Sequence, residues 1–125
     1  MIDVEKNNLP LDLSYLREMS GDSAEFIIEM IDMFKQQTPL YMADLEQAVK
    51  QQDWVKVSGF AHKIKPTFTY VGRNDAKDHM QAMEHNARDL KDLDRIPSAF
   101  EEVKNLVEVL YHQLDQAKAN LEKEL

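Results

Sequence analysis

The stretch DWVKVSGFAHKIKPTFTYVG, residues 53–72, decides how this chain folds. At about 100° per residue, Val57, Phe60, Ala61, Ile64, Phe68 and Val71 gather on one side of a helix. Asp53 suits its N-cap and Gly72 its C′ position, so the helix is expected over Trp54–Val71. A single apolar stripe buries one face against other helices and leaves the opposite face in water. By the same geometry His62 points about 150° away from the stripe. It is expected to be a solvent-facing histidine, with Ser58 and Gly59 on the preceding turn and Lys65 on the following one.

The rest of the chain repeats the helical pattern. Leu9 to Met19 reads as a short helix, with Asp12 near its start and Gly21 as its stop. Asp22-x-x-Glu25 is a start signal related to the capping box, and a helix follows from Ser23 to about Gln37. Its apolar set (Phe26, Ile27, Met30, Ile31, Met33, Phe34) is broad and is assigned to the core. Ile28 extends that set, and Ile28 and Met33 stand at its edge as candidates for partner docking. Thr38-Pro39 has the form of an N-cap followed by proline at N1, so a new helix or a kink is expected there, running through Leu45, Ala48 and Val49 to about Gln52.

Beyond Gly72, Asn74 or Asp75 is expected to cap a helix whose Ala76, Met80, Met83, Ala87 and Leu90 form a clean stripe. Leu93 to Pro97 is the one longer loop. Ser98-x-x-Glu101 then reads as a capping box for a last helix with Ala99, Val103, Leu106, Leu110, Leu114, Ala117 and Leu121 on one face. No stretch alternates with the period of a strand. The expected fold is all-α: an antiparallel up-and-down four-helix bundle, with a short extra N-terminal helix covering one end or flank.

Composition narrows the function. A chain of 125 residues is expected to form one domain, 1–125. It has no cysteine, which excludes disulfides and thiolate metal sites. Met1 to Leu11 lacks the basic and apolar regions of a signal peptide, and no apolar run approaches the ~20 residues of a membrane span. A cytoplasmic protein is the default expectation, and the two ends read as those of a stand-alone chain. The net charge of −8 argues against nucleic acid or an anionic membrane as partner. Within this acidic chain, Trp54 to Asn74 holds Lys56, Lys63, Lys65 and Arg73 and no Asp or Glu, an expected anion-seeking surface around His62.

An exposed neutral imidazole has a nucleophilic nitrogen that accepts a phosphoryl group. A cation at i+3 lies one turn away, where Lys65 can pair with the added charge. No carboxylate lies within helical reach on the same segment to make His62 a strong base. The arrangement suits a passive carrier better than a self-sufficient catalyst. A di-iron bundle needs Glu-x-x-His on two helices, and that motif is absent; Glu108 and His112 alone are too few ligands. His79, His85 and His112 have no comparable context and are expected at the surface or its boundary. No glycine-rich phosphate loop is present, so autokinase activity is not expected.

Ala61-His62-Lys63-Ile64-Lys65, with Gly72 ten residues after the histidine, resembles the signature of the histidine-containing phosphotransfer (HPt) family. Leu11-Asp12-Leu13, Gly21-Asp22, Phe34, Pro39, Leu45, Ala48 and Asp53 agree with the family's upstream pattern. The resemblance covers most of the chain. It implies that His62 is phosphorylated on Nε2 and that Lys65 supports the phosphohistidine. It also implies the partners: the receiver domain of a hybrid histidine kinase on one side and that of a response regulator on the other, with Mg²⁺ in the receiver rather than in this chain.

A monomeric carrier is expected, with Ser58, Gly59 and Thr69 lining the approach to the histidine. The alternative is a helical module that binds signalling partners without being phosphorylated. Three residues depart from the family pattern: Pro66 after the lysine, Phe68 on the core face, and Glu84, 22 residues after the histidine, where the family often has Gln. Pro66 removes the helical partner of the His62 carbonyl. Glu84 would either orient the imidazole or oppose its phosphorylation by like charge.

Overall fold

A computed structural model describes residues 2–125. Five α-helices follow a 3-10 turn at Val4–Asn8: α1 (Ser14–Ser20), α2 (Ala24–Lys50), α3 (Trp54–Tyr70), α4 (Asn74–Asp89) and, after a second 3-10 turn at Leu93–Arg95, α5 (Ile96–Glu122). No strand occurs among the described residues. α2 to α5 form the expected antiparallel up-and-down bundle. Ion pairs between the two longest helices record the direction: Glu46 with Lys104, Lys35 with Asp115, and Asp32 with Lys118, so that numbers fall on α5 as they rise on α2. α1 lies across one end, where Tyr15 meets Tyr70 at 5.6 Å between ring centroids.

The core is built from the stripes. Ile27, Ile31 and Leu45 of α2, Val57, Ala61, Ile64 and Phe68 of α3, Ala76, Met80 and Met83 of α4, and Val103, Leu106, Leu110 and Leu114 of α5 are all buried. Two assignments change. Phe26 is exposed, because the wide apolar arc of α2 exceeds what one core face accepts; Met33, expected at the edge of that arc, is exposed as well. Leu90 is exposed too: it takes the left-handed conformation (φ 55°) that ends α4 rather than continuing its stripe.

The helix ends show which local signals prevail. Ser23 Oγ accepts from Phe26 N–H and Asp53 Oδ1 from Lys56 N–H, as N-caps do. Asp12 takes the Ser14 N–H, so the first helix begins at Ser14 rather than Leu9. α3 closes in a Schellman turn: Gly72 (φ 75°) donates to Thr69 O and Arg73 to Phe68 O. Gly72 is required there twice over. A Cβ at this position would lie 2.5 Å from the Asp12 carbonyl oxygen, so the N-terminal segment can cross the bundle end only over a glycine.

Four boundary expectations fail. Thr38-Pro39 starts no new helix: α2 runs unbroken for 27 residues, with Thr38 buried and Pro39 exposed. A proline on the wet side leaves its orphaned carbonyl near water, and the packed face on the other side carries the helix through. Ser98 does not cap α5, which opens at Ile96 with Pro97 in its first turn; Ser98 Oγ donates to Arg95 O instead. The expected loop Leu93–Pro97 is therefore a 3-10 turn running into the helix. Neither Asn74 nor Asp75 caps α4, because the Asp75 carboxylate is engaged by Arg73.

Arg73 is not part of a positive surface. It is 3% exposed, donating to both Asp75 oxygens, to Asn7 Oδ1 and to the Asp3 carbonyl. Asp75 also accepts from Asp3 N–H. Burial pushes the Asp75 carboxyl up, but the hydrogen bonds and charge of Arg73 outweigh it and hold the group at about 2. Gln113 of α5 grips the same segment, its Nε2 facing the carbonyls of Lys6, Asn7 and Leu9. These two side chains tie residues 3–9 to the bundle.

Candidate functional site

His62 sits on the middle of α3, and its side chain is 68% exposed. Val57, Ala61, Ile64 and Phe68 are fully buried on the opposite side of the helix, which turns the imidazole outward as the stripe requires. Pro66 does not break this presentation. α3 is continuous from Trp54 to Tyr70, and Pro66, like Pro39, lies on the exposed side. Its missing N–H withdraws the helical partner of the His62 carbonyl without ending the helix.

The expected acid-free surroundings do not hold in three dimensions. Glu84, reaching across from α4, places Oε2 3.0 Å from His62 Nδ1 and Oε1 2.9 Å from Lys65 Nζ. One carboxylate thus joins the histidine to the lysine one turn away. Glu84 and Lys65 are largely covered, at 12% and 20% exposure, while the imidazole stands above them. Burial pushes the Glu84 carboxyl up. The hydrogen bond and charge of Lys65, helped by the bond from His62, reverse this and hold it below the ordinary glutamate value.

An ionised carboxylate only accepts hydrogen bonds, so the proton of a neutral His62 belongs on Nδ1. Nε2, at the far edge of the ring, then carries the free lone pair. The site can therefore offer one nucleophilic nitrogen to a group arriving from solvent.

Of the other sequence candidates, Ser58, Gly59 and Thr69 share the His62 side of α3. Ser58 and Thr69 are half-buried, and Gly59 is exposed with no heavy atom within 4 Å of where a Cβ would stand. Lys56 and Lys63 are exposed, and Lys63 lies 4.8 Å above the Tyr41 ring of α2. Ile28 is not brought to this group. It lies about 20 Å along α2 from Tyr41 by helical rise and packs partly buried against the core. Asp32 and Lys35, one and two turns on from Ile28, both pair with α5. Met33 lines a cleft with Tyr41, Thr67 and Tyr70 between α2 and α3.

His79 departs from the surface expectation: it is buried between α4 and α5, with Nε2 2.8 Å from the Ala99 carbonyl oxygen. Its place on the stripe side, three residues after Ala76 and one before Met80, was the available signal. Among the described residues no three His, Asp or Glu side chains cluster as metal ligands, and no helix is long and apolar enough to cross a membrane.

Searches of curated proteins and of solved structures return no match to this chain. Residues 29–122, about three-quarters of the sequence, match the Hpt domain, covering the whole of α3, α4 and α5 and all but the first turns of α2. The chain belongs to the Hpt domain family, the helical bundles that carry out histidine phosphotransfer in phosphorelays through contacts with receiver domains.

Proposed function

We propose that His62 is the phosphoacceptor and that the protein, as a single-domain monomeric carrier in the cytoplasm, moves a phosphoryl group between two receiver aspartates. The observation that carries this reading is the exposed imidazole anchored through Nδ1 to Glu84, which leaves Nε2 free. On loading, the Nε2 lone pair attacks the phosphorus of an aspartyl phosphate. The P–O bond to the aspartate breaks, its electron pair returns to the carboxylate, and an N–P bond forms. Unloading reverses these steps on the receiver of a response regulator. Mg²⁺, where the reaction needs it, belongs to the acidic pocket of the receiver. Lys65 steadies Glu84 through one N–H and has two further N–H donors for phosphoryl oxygens.

Ser58, Gly59 and Thr69 form the approach, with Gly59 leaving room for a receiver loop. Lys56 and Lys63 flank it with charge opposite to the receiver's pocket. Ile28 is the outlying member of this docking surface, reached only by a partner that wraps α2. The test is incubation with a phosphorylated receiver domain: the parent protein takes up label and His62→Gln does not. Equal labelling of the two overturns the reading and leaves an interaction module.

A further inference from the structure

Glu84 contacts His62 on the nitrogen that does not react, and that position has a chemical consequence. When Nε2 of a ring protonated on Nδ1 takes a phosphoryl group, the ring becomes an imidazolium: Nδ1 keeps its hydrogen while Nε2 bonds phosphorus. The leaving group on onward transfer is then neutral imidazole. If the Nδ1 proton escapes to water, the leaving group becomes an imidazolate, far more basic and slower to depart. The fate of one proton therefore divides a transferable phosphohistidine from an inert one.

We infer that Glu84 is a positioning residue that keeps the phosphorylated His62 ring protonated on Nδ1, so that the stored phosphoryl group stays transferable above neutral pH. This inference rests on His62 being the acceptor. It follows from an ionised carboxylate 3.0 Å from Nδ1 and from the depth of Glu84, which limits competition from water. The other charged groups nearby do not offset it. From α3, the Lys65 ammonium faces the second oxygen of the carboxylate and keeps it ionised. Towards α2, Lys63 stacks on Tyr41, and Asp44 borders the groove shared with Lys56 and Phe60. From α5, the acidic group turned to α4 is Glu102, 3.7 Å from His79 rather than from this site.

No proton enters or leaves in the cycle. The lone pair of Nε2 forms the N–P bond on loading and regains it on unloading, and Nδ1–H stays bonded to Glu84 throughout. The like charge of Glu84 does not oppose the phosphoryl group, because the new ring cation lies between them.

The test loads the parent, Glu84→Ala and Glu84→Gln from a phosphorylated receiver and follows onward transfer to a second receiver from pH 6 to 9. The parent is expected to hold its rate across this range. Glu84→Ala should load but fall off as pH rises, to about tenfold below the parent at pH 8.5, the scale of one lost charge-assisted hydrogen bond. Glu84→Gln, whose amide oxygen still accepts Nδ1–H without a charge, should fall between them, and thermal melts of all three confirm folding. Parallel pH profiles for the parent and Glu84→Ala overturn the inference alone. Absence of label on the parent overturns the underlying assignment of His62 instead.

Discussion

Lys65 and Glu84 are joined at 2.9 Å across the α3–α4 interface, and both are mostly covered. This pairing is what allows an acid beneath His62. Burial alone would push the Glu84 carboxyl up, and the lysine reverses the direction. Lys65→Met should therefore move the titration of the Glu84 carboxyl upward. With the cation present the carboxyl stays below the ordinary glutamate value, whereas in the variant burial acts with no lysine to reverse it. At pH 7 we expect transfer to slow about tenfold, the order of one charged hydrogen bond. An NMR titration of the Glu84 carboxyl carbon and the transfer rate at pH 7, measured for both proteins, check this.

Gly72 and Gly21 both have positive φ, but only Gly72 is crowded. Gly72→Ala combines the left-handed penalty with a forced separation from Asp12, a loss of about 2–4 kcal/mol. Gly21→Ala meets nothing within 4 Å and should lose only about 1–2 kcal/mol. Urea unfolding of both variants gives the comparison; equal losses would mean that the N-terminal crossing yields easily.

Gly59 is helical, exposed and open around its missing Cβ. Gly59→Ala should stabilise the fold by about 0.5–1 kcal/mol, since alanine is the better helix former. Gly59→Trp should leave the fold intact but slow loading from a receiver at least tenfold. An unchanged loading rate for the tryptophan variant would remove Gly59 from the docking surface.

Asp75, held at about 2 by Arg73 against 3.8 when free, is a source of acid sensitivity. Its folded-state value is depressed, so its contribution is complete above the unfolded value and is lost as pH falls towards 2. A shift of this size corresponds to about 2 kcal/mol. Asp75→Asn should lose roughly that much stability at pH 7 and show a flatter decline between pH 5 and 2. Denaturant midpoints at several pH values measure both.

The parts legible in the sequence are those that depend on local periodicity. The stripe Val57–Ala61–Ile64–Phe68 orients His62 outward, and the structure keeps that orientation. What escapes local reading depends on partners distant in the chain. Arg73 looks like one more surface cation until the N-terminal turn folds over it with Asn7 and the Asp3 carbonyl. The Trp54–Asn74 segment is acid-free in sequence, and only the family resemblance points to Glu84, whose carboxylate arrives beneath the ring from 22 residues beyond His62. Pro39 shows the converse, a strong local break signal overruled by packing on both sides of it. His79 lies among the buried stripe residues Ala76, Met80 and Met83, and only its residue type points outward.

The most direct measurement locates the phosphoryl group on the ring. The protein is loaded from a phosphorylated receiver, and the site and nitrogen are identified by peptide mapping and by phosphorus–proton couplings in NMR. Phosphorus on Nε2 of His62 is expected, because Nδ1 is bonded to Glu84. Phosphorus on Nδ1 of His62, or on His85 or His112, would contradict the assignment.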